Sequence, residues 1–356
     1  MNFATISRAL LAEKPEVIVS GQKRIQSLDM IKLLSFIGVL AIHCASELQP
    51  RPWGYDLWTI RRFVCCCGVI SIPMFFLVSG YMLLGREKSG YAYAFRKIYR
   101  LLRASFVLYV LVLLIKWLIW GEDVMMASVP RRFFLNLLQI GDYSLLWFVG
   151  AMCVVYLVYP LINKVYRKKD VAFLWLCVFL VGLMTLFFFL NFIWPRIGYL
   201  REFAICQTFR LWNWIGYFCL GGLVKRYRVF DRLGRLPLIL VLSGLCFLML
   251  NAFAVWRGLP WVEYGYSSMP VMVLVIAVFS YVMRLNVYNP LMSELAGVFL
   301  PAYLLGPIFM YMLVDHMLLL PEWVGTLVFV AVNAALALAA GWLLMKVPGA
   351  GKLLRL

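Results

Sequence analysis

Four ionisable side chains share one face of an apolar stretch near the beginning of the chain. Between about residues 28 and 48, the only strongly ionisable residues are Asp29, Lys32, His43 and Glu47. At about 100° per residue in an α-helix, His43 lies about 20° from Lys32, and Asp29 and Glu47 lie about 60° from it. An imidazole titrates near neutral pH and is therefore a suitable proton acceptor for a hydroxyl nucleophile. The spacing predicts a catalytic face on this helix, with His43 at its centre.

Each of these side chains also has a structural alternative. His43 could pack against a neighbouring helix, and Glu47, one turn further on, could orient the imidazole or sit hydrated at the helix end. Asp29 and Lys32, at positions i and i+3, could form a simple ion pair at the inner edge of a membrane. If the face is functional, Lys32 and His43 are about 16 Å apart along the helix axis and serve opposite halves of a bilayer.

The composition places this face inside a membrane. Of the 356 residues, 64% are hydrophobic and 14% are charged, and the mean hydropathy is +0.89, which is more apolar surface than a soluble globular protein buries. The net charge of +18 does not indicate binding of nucleic acid, because the basic residues cluster between the apolar segments, as in the cytoplasmic loops of membrane proteins. The nine cysteines show no metal-ligand spacing. We therefore predict no metal site and interpret them as small buried hydrophobes.

Apolar windows long enough to cross the hydrocarbon core recur ten times along the chain. They cover approximately residues 28–48, 63–84, 104–120, 144–162, 171–192, 204–224, 236–256, 267–285, 295–319 and 323–346. The sequence therefore predicts an all-α fold, a polytopic membrane helical bundle of about ten transmembrane helices. It divides into an N-terminal tail of residues 1–27, a transmembrane domain of residues 28–346 and a short C-terminal tail of residues 347–356.

The distribution of lysine and arginine sets the predicted orientation, because these residues are enriched in cytoplasmic loops. With the N-terminal tail in the cytoplasm, the cytoplasmic segments carry Arg86, Lys88, Arg96, Lys97, Arg100, Arg103, Lys164, Arg167, Lys168, Lys169, Lys225, Arg226, Arg228, Arg232, Arg235, Lys346, Lys352 and Arg355. The outer loops hold far fewer basic residues. Both termini are predicted to be cytoplasmic. The first span is predicted to be uncleaved, because no small-residue cleavage site follows it.

Three arginines form a second candidate site. Arg96, Arg100 and Arg103 follow i, i+4, i+7 spacing, which gathers their guanidinium groups on one helical face at the inner edge of the membrane. Such a cluster can bind the phosphates of a nucleotide-bearing acyl donor or of an anionic lipid. Ordinary anchoring by the positive-inside rule explains the same residues equally well.

Arg210 and Trp147 are further candidates within the predicted spans. Arg210 lies close to the outer end of the sixth span. It could neutralise Glu47, contact an acceptor hydroxyl or a developing oxyanion, or extend to the outer headgroups. Trp147 could stack on a sugar or nucleotide ring, although packing is the commoner use of such an aromatic side chain.

Five segments, in this order, resemble the membrane acyltransferase-3 family. The first is Leu28-Asp29, followed by Lys32 and, eleven positions after it, by His43. The others are the stretch 73–81 (Pro-Met-Phe-Phe-Leu-Val-Ser-Gly-Tyr), the basic stretch 96–103, residues 146–149 (Leu-Trp-Phe-Val) leading to 159–161 (Tyr-Pro-Leu), and residues 218–222 (Phe-Cys-Leu-Gly-Gly). Together these segments extend over most of residues 24–224.

The resemblance implies a bundle of about ten helices that takes an acyl group, usually acetyl from acetyl-CoA in the cytoplasm. The acceptor is then a hydroxyl of a carbohydrate or lipid-linked glycan. By this analogy His43 corresponds to the essential histidine of the family, acting as a general base or as a covalent acyl carrier. Arg96, Arg100 and Arg103 correspond to its basic motif and would hold the phosphates of the donor, with Lys32 lining the route to His43.

The chain departs from the family pattern at two places. Lys32 stands where relatives usually carry arginine, which keeps the charge and removes the bidentate fork. Residues 301–307 occupy the place of a later segment that ends in histidine in many relatives, and they contain none. His316, beside Asp315, comes too late in the chain for that match and is interpreted as an outer-interface residue.

We therefore expect a multi-pass O-acetyltransferase of a bacterial inner membrane, surrounded by membrane lipid, that modifies a glycan or glycolipid of the cell envelope. The alternative is a transporter that exports a glycan precursor or an acylated product past the same polar residues. Pro301 and Pro307, which interrupt the ninth span, keep that alternative open, and the absence of a detectable repeat favours the enzyme. The sequence specifies neither the acceptor nor an oligomeric state.

Overall fold

The computed structural model of the chain describes residues 17–19, 22–48, 59–87, 89–122, 128–190, 205–229, 234–257, 265–285 and 289–354. A short antiparallel hairpin, β1 (Val17–Val19) and β2 (Gln22–Arg24), precedes the helices. The helices are α1 (Gln26–Glu47), α2 (Ile60–Gly68), α3 (Ser71–Leu83), α4 (Tyr91–Trp120), α5 (Val129–Leu137), α6 (Trp147–Lys168), α7 (Asp170–Phe188), α8 (Leu211–Tyr227), α9 (Leu236–Trp256), α10 (Met269–Arg284), α11 (Pro290–Leu295), α12 (Phe299–Leu318), α13 (Glu322–Lys346) and α14 (Ala350–Leu354). Single 3₁₀ turns at Ser144–Leu146 and Gln207–Phe209 lead into α6 and α8.

The all-α membrane bundle that the sequence predicts is confirmed. Within the described ranges, eight helical segments are long and apolar enough to cross a membrane: α1, α2 with α3, α4, α6 with the turn before it, α7, α9, α12 and α13. The remaining two predicted spans correspond to α8 and α10, which are shorter, at 17 and 16 residues. The chain is therefore a multi-pass membrane protein. We call the end of the bundle at which α1 begins the inner end and the opposite end the outer end.

Several boundaries differ from the predicted ones. Helix α4 begins at Tyr91, well before the predicted start of its span, and is 30 residues long, so that its arginines belong to the same helix as its apolar part. The predicted C-terminal tail contains a short helix, α14, which packs against α4. Most of the predicted N-terminal tail lies outside the described residues, as do Lys88, Arg232 and Arg355. Helix α12 runs without a break through the buried residues Pro301 and Pro307, so it is not a discontinuous helix of the transporter kind.

Helices α3 and α8 approach each other through glycine. A Cβ atom added to Gly80 would lie 1.8 Å from the carbonyl oxygen of Phe218, and one added to Gly221 would lie 2.0 Å from the carbonyl oxygen of Leu77. Lipid chains are as apolar as leucine, so helices in a bilayer associate through close packing, and small residues allow the backbones to come together. Two of the sequence segments that resemble the family, 73–81 and 218–222, thus face each other in this contact.

Helix α1 is held in the same way against the junction of α2 and α3. A Cβ atom at Gly38 would lie 2.0 Å from Oγ of Ser71, and one at Gly68 would lie 2.5 Å from the carbonyl oxygen of Gly38. Gly38 lies about 120° around α1 from Lys32. One side of α1 therefore packs against α2 and α3, and the face with Lys32 and His43 points in a different direction.

Replacing Gly221 with alanine should destabilise the bundle, because the new methyl group overlaps the backbone of α3. We expect a loss of about 1–3 kcal/mol in the free energy of unfolding, the usual range for overpacking, measured as a lower thermal unfolding temperature in detergent. Gly182→Ala is the matched control, since Gly182 also lies within a helix but a Cβ atom there meets nothing within 4 Å. Equal stability of the two variants would contradict the proposed contact.

Candidate active site

A cavity of about 930 Å³ lies between α1, α3, α4, α6, α12 and α13. Its lining includes Glu294 and Lys346, which are exposed at the inner end of the bundle, and Leu354 of α14. The cavity therefore has its mouth at the inner end, the side that the sequence predicts to be cytoplasmic.

Away from its charged residues the lining of this cavity is apolar and largely aromatic. It includes Phe36, Val39, Ile72, Phe75, Leu101, Trp147, Phe148, Met152, Phe299, Leu300 and Tyr303, and hydroxyl groups are contributed by Ser79, Tyr156 and Tyr303. Oγ of Ser79 donates a hydrogen bond to the carbonyl oxygen of Phe75 in its own helix, at 2.8 Å. Apart from these hydroxyl groups, the deep lining is suited to hydrocarbon and to a narrow, uncharged chain.

His43 continues the row of α1 residues that lines the cavity. Lys32, Phe36 and Val39 all line it, and their spacing places them within about 60° of one another on the helix. His43 belongs to the same row and lies one turn, about 6 Å along the axis, beyond Val39. It is half-buried and accepts or donates no hydrogen bond among the described residues. His43 is not among the described residues that line the cavity, and the helical row places it one turn past Val39, the last lining residue of α1.

Lys32 forms an ion pair with Asp29 and also lines the cavity. Its Nζ atom lies 3.2 Å from Oδ1 of Asp29, three residues earlier on α1, so the expected ion pair forms. Asp29 is buried, whereas 24% of the Lys32 side chain is exposed, and Lys32 lines the cavity. The ammonium group is thus held in place by one carboxylate and presented to the mouth of the cavity.

Among the described residues, Glu47 and Arg210 form no hydrogen bond or ion pair with His43. Glu47 is half-buried at the outer end of α1 and forms no hydrogen bond or ion pair with His43 or Arg210 among the described residues. Arg210 is 6% exposed and precedes α8, where its Nε atom donates to the carbonyl oxygen of Ile205 at 3.0 Å. Both side chains lie towards the outer end, so their predicted catalytic roles stay predictions.

The three arginines of α4 face away from the cavity. Leu101 lines the cavity from α4, and Arg100, Arg96 and Arg103 lie about 100°, 140° and 160° around the helix from it. Arg96 and Arg100 are exposed. Lys97, about 40° from Leu101, is the basic residue of this stretch nearest to the cavity side. The prediction that the arginines bind a donor is therefore compatible only with a position outside the cavity.

Arg103 has a structural role at the same inner edge. Its Nε atom donates to the carbonyl oxygen of Leu353 at 3.2 Å, and its Nη2 atom donates to that of Lys352 at 3.0 Å. Helix α14 is thereby attached to α4, and its residue Leu354 is buried at the cavity lining. Arg103 therefore fixes the C-terminal helix beside the mouth.

Trp147 lines the cavity and also packs against the ring of Trp214. It is 5% exposed, and its ring centroid lies 5.2 Å from that of Trp214 on α8. Tyr143 and Tyr303 hold the segment before it: the Tyr143 hydroxyl donates to the carbonyl oxygen of Leu304, and the Tyr303 hydroxyl donates to that of Leu145 at 2.8 Å. The predicted ligand-binding role and the packing alternative are thus both compatible with its position.

A polar network fixes the segment that leads to Trp147. Oδ1 of Asp142 accepts hydrogen bonds from Asn136 at 3.0 Å and from the Tyr109 hydroxyl at 3.1 Å, and Oδ2 pairs with Arg132. Oδ1 of Asn136 accepts the backbone N–H of Tyr143 at 2.6 Å. Partial burial acts to raise the pKa of Asp142, but the hydrogen bonds from Arg132 and Asn136 outweigh it and hold that pKa below its usual value. Asp142 is therefore a charged anchor for the turn.

Sequence reasoning missed a cluster at the mouth of the cavity. Trp342, Lys346 and Glu294 all line it, although none belongs to a segment that resembles the family. The i, i+4 spacing of Trp342 and Lys346 at the end of the last span was the available signal. His316, by contrast, is exposed on the last two turns of α12, as expected of an outer-interface residue.

The part of the chain that matches a known protein family includes nearly the whole bundle. A family model described as an acyltransferase domain matches residues 25–346, from the residue before α1 to the last residue of α13. The match therefore includes the six helices between which the cavity lies and leaves out α14, whose residue Leu354 also contributes to the lining. No curated protein and no solved structure matches the chain.

Replacing Arg132 with alanine should loosen the turn before Trp147, because Asp142 then keeps its charge and loses its cationic partner. We expect a loss of about 1–2 kcal/mol in stability, visible as a lower unfolding temperature followed by tryptophan fluorescence. Arg131→Ala is the control, since Arg131 is the preceding residue and is exposed. An identical effect of the two changes would show that the network does not hold the turn.

Proposed function

This chain belongs to the acyltransferase family whose model spans residues 25–346, and from that membership we propose a specific reaction for it. It is a membrane O-acyltransferase that moves an acetyl group from acetyl-CoA to a hydroxyl of a cell-envelope glycan or glycolipid, in a bacterial inner membrane. One observation carries the proposal: the row of α1 residues that lines the cavity, Lys32, Phe36 and Val39, leads to His43.

The cavity suits a donor whose two ends differ in polarity. Coenzyme A has a multiply charged head and a narrow, uncharged pantetheine arm that ends in the thioester. The mouth carries charged side chains, the ammonium groups of Lys32 and Lys346 beside the carboxylate of Glu294, whereas the deep lining is apolar and would oppose a charge. The head therefore stays at the inner edge, and the arm delivers the acetyl thioester to the deep end, one turn from His43.

At that position His43 acts as a general base. Its neutral imidazole accepts the proton of the acceptor hydroxyl while the oxygen attacks the carbonyl carbon of the thioester. The carbon–sulfur bond breaks as the new ester forms, and the imidazolium returns its proton to the departing thiolate. The products are the acetylated acceptor and free coenzyme A, with no further reactant required.

The acceptor approaches from the outer end. Arg210 and Glu47 lie there, and we assign them contacts with acceptor hydroxyls, because charged groups at membrane depth commonly mark substrate sites. Trp147, at the deep end of the cavity, limits the space beside the acetyl group. Arg96 and Arg100, which face away from the cavity, attract the anionic donor to the inner edge by long-range electrostatics.

Replacing His43 with alanine should remove transfer, since no other imidazole lies near the cavity. We expect the rate of thiol release from labelled acetyl-CoA to fall by about 10²–10⁴-fold, the usual contribution of a general base, in membranes that contain the acceptor. His316→Ala, which changes the other histidine of the chain, should leave the rate unchanged. Full activity of His43→Ala at normal abundance would overturn the mechanism, and label retained on the protein without acceptor would identify His43 as an acyl carrier instead.

The choice of acyl group gives a second test. Among the described residues, the lining of the cavity deeper than Lys32 contains no cationic side chain, so a carboxylate at the end of the acyl group would be desolvated without compensation. We expect acetyl-CoA to be used at least about tenfold more efficiently than succinyl-CoA, measured as kcat/KM in the same thiol-release assay. Comparable efficiencies would contradict the assignment of the deep cavity to the acyl group.

A further inference from the structure

The mouth of the cavity carries a side-chain cluster that the proposed reaction leaves unused. Trp342 and Lys346 lie one turn apart on α13, and Glu294 belongs to α11. Nε1 of Trp342 donates a hydrogen bond to Oε1 of Glu294 at 2.7 Å, and Nζ of Lys346 lies 3.3 Å from the centroid of the indole ring. The hydrogen bond fixes the edge of the ring, and the ammonium group covers one of its faces.

This cluster shares the mouth with a second ammonium group. Lys32, on α1, lines the same cavity as Trp342 and Lys346, and α1 packs against α13. A planar indole beside lysines from two helices is complementary to a nucleotide, whose base stacks on an aromatic ring and whose phosphates bind cations. Few other ligands present a flat aromatic group and several negative charges together.

We propose that Trp342 and Lys346 bind the nucleotide part of the acyl donor. The adenine base stacks on the Trp342 ring, and the Lys346 ammonium, on its flexible four-carbon stem, leaves the ring face and binds the adjacent phosphates. Glu294 keeps the indole in position through its hydrogen bond. This inference rests on the proposed function, because it says where the head of that donor binds, and it assigns the contact to α13 rather than to the arginines of α4.

A second pair of lysine and tryptophan in the chain serves as the matched control for this proposal. Lysine and tryptophan also anchor helices at membrane interfaces without binding a ligand. Lys168 and Trp175 combine the same residue types at the inner ends of α6 and α7, where they line a shallow groove separate from the cavity. A general effect of interfacial anchoring would affect both pairs, whereas nucleotide binding would affect only Trp342 and Lys346.

Equilibrium binding of coenzyme A to the full chain in lipid nanodiscs tests the proposal, with pantetheine, which lacks the nucleotide, as the comparison ligand. Trp342→Leu and Lys346→Gln should each weaken binding of coenzyme A about tenfold and leave binding of pantetheine unchanged. Trp342→Phe, which keeps an aromatic ring but loses the hydrogen bond to Glu294, should weaken it less. Lys168→Gln and Trp175→Leu should bind coenzyme A as the unmodified chain does.

Any other result would contradict either this nucleotide subsite or the proposed reaction. Unchanged binding of coenzyme A in both Trp342→Leu and Lys346→Gln would overturn this subsite and leave the proposed reaction intact. No binding of coenzyme A by the unmodified chain would instead remove the donor of the proposed reaction. Parallel loss of coenzyme A and pantetheine binding, together with a lower unfolding temperature, would assign both side chains to the fold and also overturn the subsite.

Discussion

Backbone contact at glycine determines where the helices of this bundle stand, and the cavity depends on it. In a bilayer, apolar side chains gain nothing by leaving lipid for protein, so helices are held by close packing and by hydrogen bonds. Gly80 of α3 meets the backbone of α8, and Ser71, about 180° around α3 from Gly80, meets Gly38 of α1. The face of α3 between these two contacts carries Phe75 and Ser79, and that face lines the cavity. The two close contacts thus hold α3 in the orientation that makes it a cavity wall.

The polar side chains around Asp142, near the outer end, are satisfied within the protein, as a surrounding of low polarity requires. Asp142 collects three side-chain partners, and the turn that it anchors leads directly to Trp147. The outer segment before α6 is tied to α12 through the hydroxyl groups of Tyr143 and Tyr303. The aromatic wall at the deep end of the cavity is consequently positioned by hydrogen bonds, and those of Asp142, Asn136 and Tyr143 involve side chains outside the cavity lining. A change in that part of the network would act on the site without altering a lining residue.

The polarity of the cavity changes along its length, and the proposed reaction follows from this change. Ammonium groups of Lys32 and Lys346 stand at the inner mouth, hydrocarbon and aromatic rings line the middle, and an imidazole lies one turn beyond the deep end. A charged head is favoured at the mouth and opposed further in, while an uncharged thioester arm meets no such opposition. In the reaction that we propose, the donor would therefore bind with its charged head at the mouth and its thioester towards His43 and the outer half of the bundle.

Much of the bundle and one face of the site were predictable from the sequence. Hydropathy predicted the spans, because only helices of sufficient apolar length satisfy their backbone groups in a bilayer. Helical periodicity placed Lys32 and His43 on one face, because both belong to a single continuous helix. Periodicity also predicted that Arg96, Arg100 and Arg103 share one helical face, but periodicity alone does not determine the direction of that face. In the structure the face is turned away from the cavity. Trp342 and Glu294 are distant in the chain and carry no joint pattern. Their meeting at the mouth depends on how α11 and α13 pack, and side-chain contacts between separate helices are decided only when the backbones have come together.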